Sequence, residues 1–194
     1  MIYAVTNRKL IVNEDIYSVV EKLCKFGADA IILREKDLES NDLFNMASKI
    51  KYITNKYNKL LIINSNLQVA KKVQAYAVHF GYREFIELKM PLDINVGVSV
   101  HSMEEAINAD QLGAGYILLG NIYETDCKKG LKGKGEIFLK QVIEMVSIPV
   151  IAIGGINEYN IKNIRKTGAY GVAIMSLAMK SPDKINKITN YNII

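Results

Sequence analysis

Short runs of uninterrupted apolar residues recur along the chain at 2–5, 30–33, 60–63, 77–80, 96–100, 116–119, 150–153 and 171–175. A strand with one wet face alternates apolar and polar residues, so runs this dense predict strands buried on both faces, as in a parallel sheet. Amphipathic stretches of helical length separate most of them, at 16–26, 43–57, 103–112, 137–146 and 161–167. Eight strands alternating with helices predict a compact (β/α)8 TIM barrel, an α/β fold, with an open doubly wound sheet as the alternative. Residues 82–94 are too few and too irregular for a full helix, which predicts a short or missing helix after the fourth strand. The length of 194 residues, against the ~250 typical of such barrels, fits trimmed helices. With no linker, low-complexity tract or solenoid repeat, residues 1–194 are expected to form a single domain.

Composition changes this picture little. Hydrophobic residues make up 49% and charged residues 23% of the chain, ordinary values for a globular protein able to bury roughly 70% of its unfolded surface. The net charge of +5 is spread mostly over helical segments, with one local excess in Lys128-Lys129-Gly130-Leu131-Lys132-Gly133-Lys134-Gly135. A basic, glycine-punctuated loop suits a phosphorylated ligand. Nucleic acid is discounted as a partner, because no binding-module pattern and no array of stacking aromatics accompanies the loop. Cys24 and Cys127 form no CxxC and indicate neither a disulfide framework nor a zinc site. Neither a secretion signal nor an apolar run of about 20 residues is visible, so a cytoplasmic protein without a membrane partner is expected.

In a barrel of this kind the chemistry sits on the loops that follow the strands. That filter selects Thr6 and Asn7, 34–36, 64–66, 79–82, 100–102, 120–134, 154–156 and Ser176. Arg34 and Lys36 flank Glu35; alternation along a strand lets the two cations face one way and hold an anion, by an arginine fork and a lysine point charge. The competing reading is a rim of salt bridges with Glu35. Gly154 and Gly155 precede a helix opening near Asn157, and glycine allows close backbone approach to a phosphate near helix amides. Met175 and Ser176 complete that cup. Asn64 either reads a ligand or caps the next helix. His79 and His101 are each a ligand contact or a satisfied core histidine, and Ser99 and Ser102 lie beside them.

These residues occur within a series of short motifs. They are Ala4-Val5-Thr6, Leu33-Arg34-Glu35-Lys36, Ile63-Asn64, Val78-His79-Phe80-Gly81, Gly97-Val98-Ser99-Val100-His101-Ser102 and 149–156, which reads Pro-Val-Ile-Ala-Ile-Gly-Gly-Ile. In order and spacing the chain resembles the superfamily of thiamin phosphate synthases and TenI-type thiazole tautomerases over nearly its full length. Residues 120–130, Gly-Asn-Ile-Tyr-Glu-Thr-Asp-Cys-Lys-Lys-Gly, resemble the tautomerase version of the loop after the sixth strand.

The resemblance implies substrate contacts from Arg34, Lys36, Asn64, Ser99, Thr125 and Lys128, and a phosphate site at Gly154, Gly155, Met175 and Ser176. The histidine expected for proton transfer in tautomerases is replaced by Asn121, whose amide has no useful pKa for acid or base work. Candidates to take over are His79, Glu35, Glu124, Tyr123 and Cys127; Asn121, His79 and Glu124 are carried forward as the catalytic set. The aspartate pair that holds magnesium in the synthases falls on Ser65 and Glu84, at most one charged ligand, so no metal or other cofactor is expected unless the chain is a synthase. The leading expectation is a thiazole tautomerase acting on a thiazole phosphate, the small-molecule partner. A thiamin phosphate synthase, joining a pyrimidine diphosphate to thiazole phosphate with release of diphosphate, is the first alternative, and a non-catalytic regulatory binder of a thiamin precursor the second. Assembly into a homo-oligomer is left open.

Overall fold

The computed structural model describes residues 1–88, 91–125 and 130–189. Its eight strands follow one another in chain order in a closed parallel barrel, each hydrogen-bonded to the next. This is the (β/α)8 fold the apolar runs predict. The barrel divides into two compact units, Met1–Val78 with the described part of Ile174–Ile194, and His79–Ala173.

In the first unit β1 (Ile2–Val5), β2 (Ala30–Leu33) and β3 (Leu60–Asn64) run in register, with Tyr3 beside Ala30 and Ala30 beside Leu60. Every residue of β1 and β2 is buried, as apolar runs without polar alternation require. Helix α1 (Ile16–Lys25) buries Ile16, Val19, Val20, Leu23 and Cys24, the i, i+3, i+4, i+7, i+8 stripe of a helix facing a core. It opens at Asp15, whose carboxylate accepts from the backbone N–H groups of Tyr17 and Ser18. Burial pushes the Cys24 thiol up to about 11, so it packs as a small apolar group and not as a nucleophile. Helix α2 (Ser40–Lys56) packs on α1, and the short α3 (Leu67–Lys72) follows β3. The helix α3 has no counterpart in the periodicity, because six residues are too few to display it; Asn66, whose side chain accepts from Val69 N–H, is the one signal that marks it.

The second unit carries β5 (Asn95–Val100), β6 (Tyr116–Gly120), β7 (Val150–Ile153) and three of the four residues of β8 (Gly171–Ile174). Strand β4 (Ala77–Gly81) leads into α4 (Tyr82–Ile86), five residues long, which is the short helix expected after the fourth strand. Helices α5 (Met103–Gln111), α6 (Gly135–Met145) and α7 (Ile161–Lys166) connect the later strands. Met175, read from sequence as the end of the eighth strand, instead precedes α8 (Ser176–Lys180), and the chain continues through a 3-10 turn (Pro182–Lys184) into α9 (Ile185–Thr189). Among the described residues no helix is long and apolar enough to cross a membrane.

Candidate functional site

In the first unit the residues after β2 sort by charge. Glu35, nearly all of it buried, accepts from the backbone N–H of Arg8 with both oxygens, at 3.0 and 3.2 Å, and from the Arg8 guanidinium at 2.9 Å. The same guanidinium forks onto Asp37 at 2.8 and 2.9 Å, and Lys9 meets Asp37 at 3.0 Å. Hydrogen bonds from Arg8, then Lys9, hold the Asp37 carboxyl down at about 2. The salt-bridge rim anticipated around Glu35 therefore exists, but its cation is Arg8. Arg34, half-exposed, and Lys36, exposed, pair with no carboxylate among the described residues. Arg34 is fixed through its backbone, whose N–H donates to the hydroxyl of the fully buried Thr6 at 2.9 Å.

Asn64 does not cap the following helix, since Asn66 does so; its amide donates to the Ser65 hydroxyl at 2.7 Å. Ser65 is left-handed, with φ +55°, at the turn out of β3. Met175 and Ser176 stand at the start of α8, both half-buried.

In the second unit a polar chain runs through the barrel wall. His79 is buried, with Nδ1 3.2 Å from the Tyr116 hydroxyl and Nε2 2.8 Å from the Ser99 hydroxyl. The His79 and Tyr116 rings stack at 5.6 Å between centroids. Gly97 provides the room, because a Cβ there would collide with the Tyr116 ring. Both ring nitrogens of His79 are thus engaged by neighbours, which favours the core-histidine reading over a rim proton donor. His101 donates from Nδ1 to the Gly120 carbonyl at 2.9 Å, an assignment forced by the carbonyl being able only to accept.

The loop after β6 is tied to itself and to β7. Asn121, 6% exposed, donates its amide hydrogens to the carbonyls of Tyr123 and Leu131 at 3.2 and 3.3 Å. Lys134 and Gly135 N–H donate back to the carbonyls of Asn121 and Ile122. Ile122 and Tyr123 N–H donate to Ile153 and Gly154 at 2.9 and 3.1 Å, extending the β6–β7 pairing. Tyr123 donates its hydroxyl to Glu136 at 2.6 Å, and burial and this bond push its pKa up, away from any proton transfer near neutrality. Glu124 is exposed and Thr125 half-buried. Lys128 and Cys127 lie outside the described residues. Gly154 (φ +103°) and Gly155 (φ +67°) pass directly under this loop, a Cβ on the first falling 2.6 Å from Asn121 Cβ and on the second 2.5 Å from the Glu124 carbonyl oxygen. The Gly155 carbonyl is pinned by the Asn160 amide at 2.9 Å.

Asn121 thus staples Tyr123 to Leu131, and its two hydrogens are spent on their carbonyls. Asn121→Asp, which turns two donors into acceptors facing those carbonyls, should lower stability by about 2–4 kcal/mol and raise amide exchange across 121–125 and 130–135. Exchange mass spectrometry that finds the loop as protected as in the wild type would remove the staple.

Sequence reasoning missed Arg8, Asp37, Tyr116 and Gly97. A lone glycine inside an apolar strand does signal close approach of another group, so Gly97 was within reach; the others become visible only through their partners.

A (β/α)8 barrel with two cations after β2 that meet no carboxylate among the described residues, and a double glycine after β7, is the class these features define. The sequence profile described as thiamine monophosphate synthase matches residues 2–178, and the chain belongs to that family, an enzyme family of thiamine biosynthesis. It is similar to thiamine-phosphate synthases of Clostridium acetobutylicum (37% identity, covering 94% of this chain and 90% of that protein) and Clostridium beijerinckii (38%, covering 94% and 89%). Among solved structures it is similar to the thiamine phosphate pyrophosphorylase from Pyrococcus furiosus, with a TM-score of 0.84, 28% identity, and coverage of 97% of this chain and 93% of that one.

These relatives overturn the tautomerase expectation. That reading leaned on residues 120–130, of which 126–129 lie outside the described residues, whereas the synthases match over nearly the whole chain at 34–38% identity. The chain is an enzyme, and neither the isomerase assignment nor the non-catalytic binder is retained.

Proposed function

We propose that the chain, working as one domain, is a thiamine-phosphate synthase. The observation that carries this reading is the match to thiamine-phosphate synthases over 94% of the chain. In the reaction a C–O bond between the pyrimidine's carbon and diphosphate breaks, the electron pair leaves with the diphosphate, and a C–N bond to the thiazole nitrogen forms. No proton need be taken by an enzyme base in that exchange, which accords with an Asn121 committed to its loop. Arg34 and Lys36 suit the diphosphate, whose growing charge in the transition state is stabilised by cations already in place. Asn64, Ser99, Thr125 and Lys128 complete the contacts to the pyrimidine and its diphosphate, and Gly154, Gly155, Met175 and Ser176 the thiazole-phosphate cup.

Magnesium is implied by the family resemblance at Ser65 and Glu84, and these residues do not fit a cation held by the chain alone. Ser65 is neutral and its hydroxyl takes the Asn64 amide, while Glu84 Oε2 accepts from Gly81 N–H at 2.9 Å. Among the described residues no group of three or more His, Cys, Asp or Glu could hold a metal. Ser65→Asp adds a carboxylate at a left-handed position that aspartate tolerates. It should tighten magnesium binding by about tenfold in the presence of diphosphate, read by calorimetric titration; an unchanged affinity would detach residue 65 from the metal.

The test of the proposal is direct. Purified protein, incubated with the hydroxymethylpyrimidine diphosphate and thiazole phosphate with and without magnesium, should release diphosphate in step with thiamin phosphate. Absence of both products under either condition rejects it.

A further inference from the structure

The four residues after β2, Arg34-Glu35-Lys36-Asp37, alternate in sign. Left to themselves such neighbours neutralise one another, and an approaching anion would meet little net field. The structure prevents this. Arg8 N–H and the Arg8 guanidinium saturate Glu35, whose side chain is 2% exposed, and the other edge of the guanidinium covers both oxygens of Asp37. With Lys9 on Asp37, two cations are matched by two acids, and Arg34 and Lys36 remain as surplus positive charge. The planar, five-donor guanidinium suits this bidentate hold on one carboxylate together with a bond to a second.

We propose that Arg8 is a positioning residue for anion binding: by drawing Glu35 and Asp37 onto itself it keeps Arg34 and Lys36 unneutralised for the diphosphate group. This rests on the synthase reading for the identity of the anion. It predicts that losing Arg8 harms diphosphate binding through the acids it releases, so that removing the exposed acid repairs the defect.

The test uses inorganic diphosphate as the probe, titrated by calorimetry into wild type, Arg8→Gln and the double variant Arg8→Gln/Asp37→Asn. Arg8→Gln should weaken binding about tenfold, as one freed carboxylate near the anion requires, and Asp37→Asn should restore most of it. In the synthase assay KM for the pyrimidine diphosphate should rise and kcat fall, since both draw on Arg34 and Lys36, while KM for thiazole phosphate holds, and Asp37→Asn should restore both. A merely structural role for Arg8 would move kcat and both KM values together and would not be rescued by Asp37→Asn. If Arg8→Gln does not fold, Arg8→Lys, which keeps the charge and loses the fork, takes its place with the same rescue. Wild-type protein that binds no diphosphate rejects the anion assignment of the synthase reading. Wild-type binding with an unweakened Arg8 variant, or with a weakened one that Asp37→Asn leaves unrepaired, rejects the positioning role.

Discussion

Gly155→Val should abolish the thiazole-phosphate binding proposed for this cup and destabilise the protein by roughly 2–5 kcal/mol, the sum of a left-handed backbone penalty and overpacking. At φ +67° a β-branched residue is already strained, and its Cβ would lie 2.5 Å from the Glu124 carbonyl oxygen and 2.7 Å from Tyr123 Cβ. The neighbour on one side is backbone, which cannot swing aside as a side chain can. The loop must lift, and with it the cup expected to receive the phosphate. Gly168→Val separates the two costs, because Gly168 has φ +86° with nothing within 4 Å of an added Cβ. It should cost only the backbone share, about 1–2 kcal/mol, and leave binding intact. Chemical denaturation and calorimetry on both variants provide the check. Equal destabilisation by the two would mean that the loop does not rest on Gly155.

The second large effect is expected inside the sheet. Gly97→Ala should cost about 2–4 kcal/mol, from displaced packing and a broken buried hydrogen bond, although alanine is the smallest residue that carries a Cβ. Gly97 is directly beside Tyr116 in the β5–β6 register, and the Tyr116 ring occupies the space a side chain at 97 would need. Forcing the ring away removes its hydroxyl from His79 Nδ1 and loosens the chain that ends on Ser99. A double-mutant cycle isolates the contact. In a Tyr116→Ala background the collision is absent, and Gly97→Ala should be nearly neutral. A cost that persists without the ring would place the effect in the strand itself.

Much of this protein is legible in the order of its residues. The dense apolar runs and the amphipathic stretches between them determine eight parallel strands alternating with helices, because burial on both faces leaves no room for polar alternation, and the short segment after the fourth strand determines a short α4. Closure into a (β/α)8 barrel and not an open doubly wound sheet is decided by the strand pairing of the tertiary structure. The motifs along the chain are enough to place it in its family. What they do not determine is how each polar residue spends its hydrogen bonds. Asn121 reads as a vacancy in a catalytic set and proves to be the staple of its own loop, since Leu131, ten residues on, supplies one of the carbonyls it holds. The competing reading pairs Glu35 with its neighbours Arg34 and Lys36, yet Glu35 belongs to Arg8, 27 residues earlier. Gly154 and Gly155 read as room for a ligand, and the space beside their Cα atoms is already filled by the loop after β6. Periodicity is a local property of the chain and survives in the sequence. Donor and acceptor pairing, and the volume left at a glycine, depend on segments that only folding brings together, so tertiary structure alone decides them.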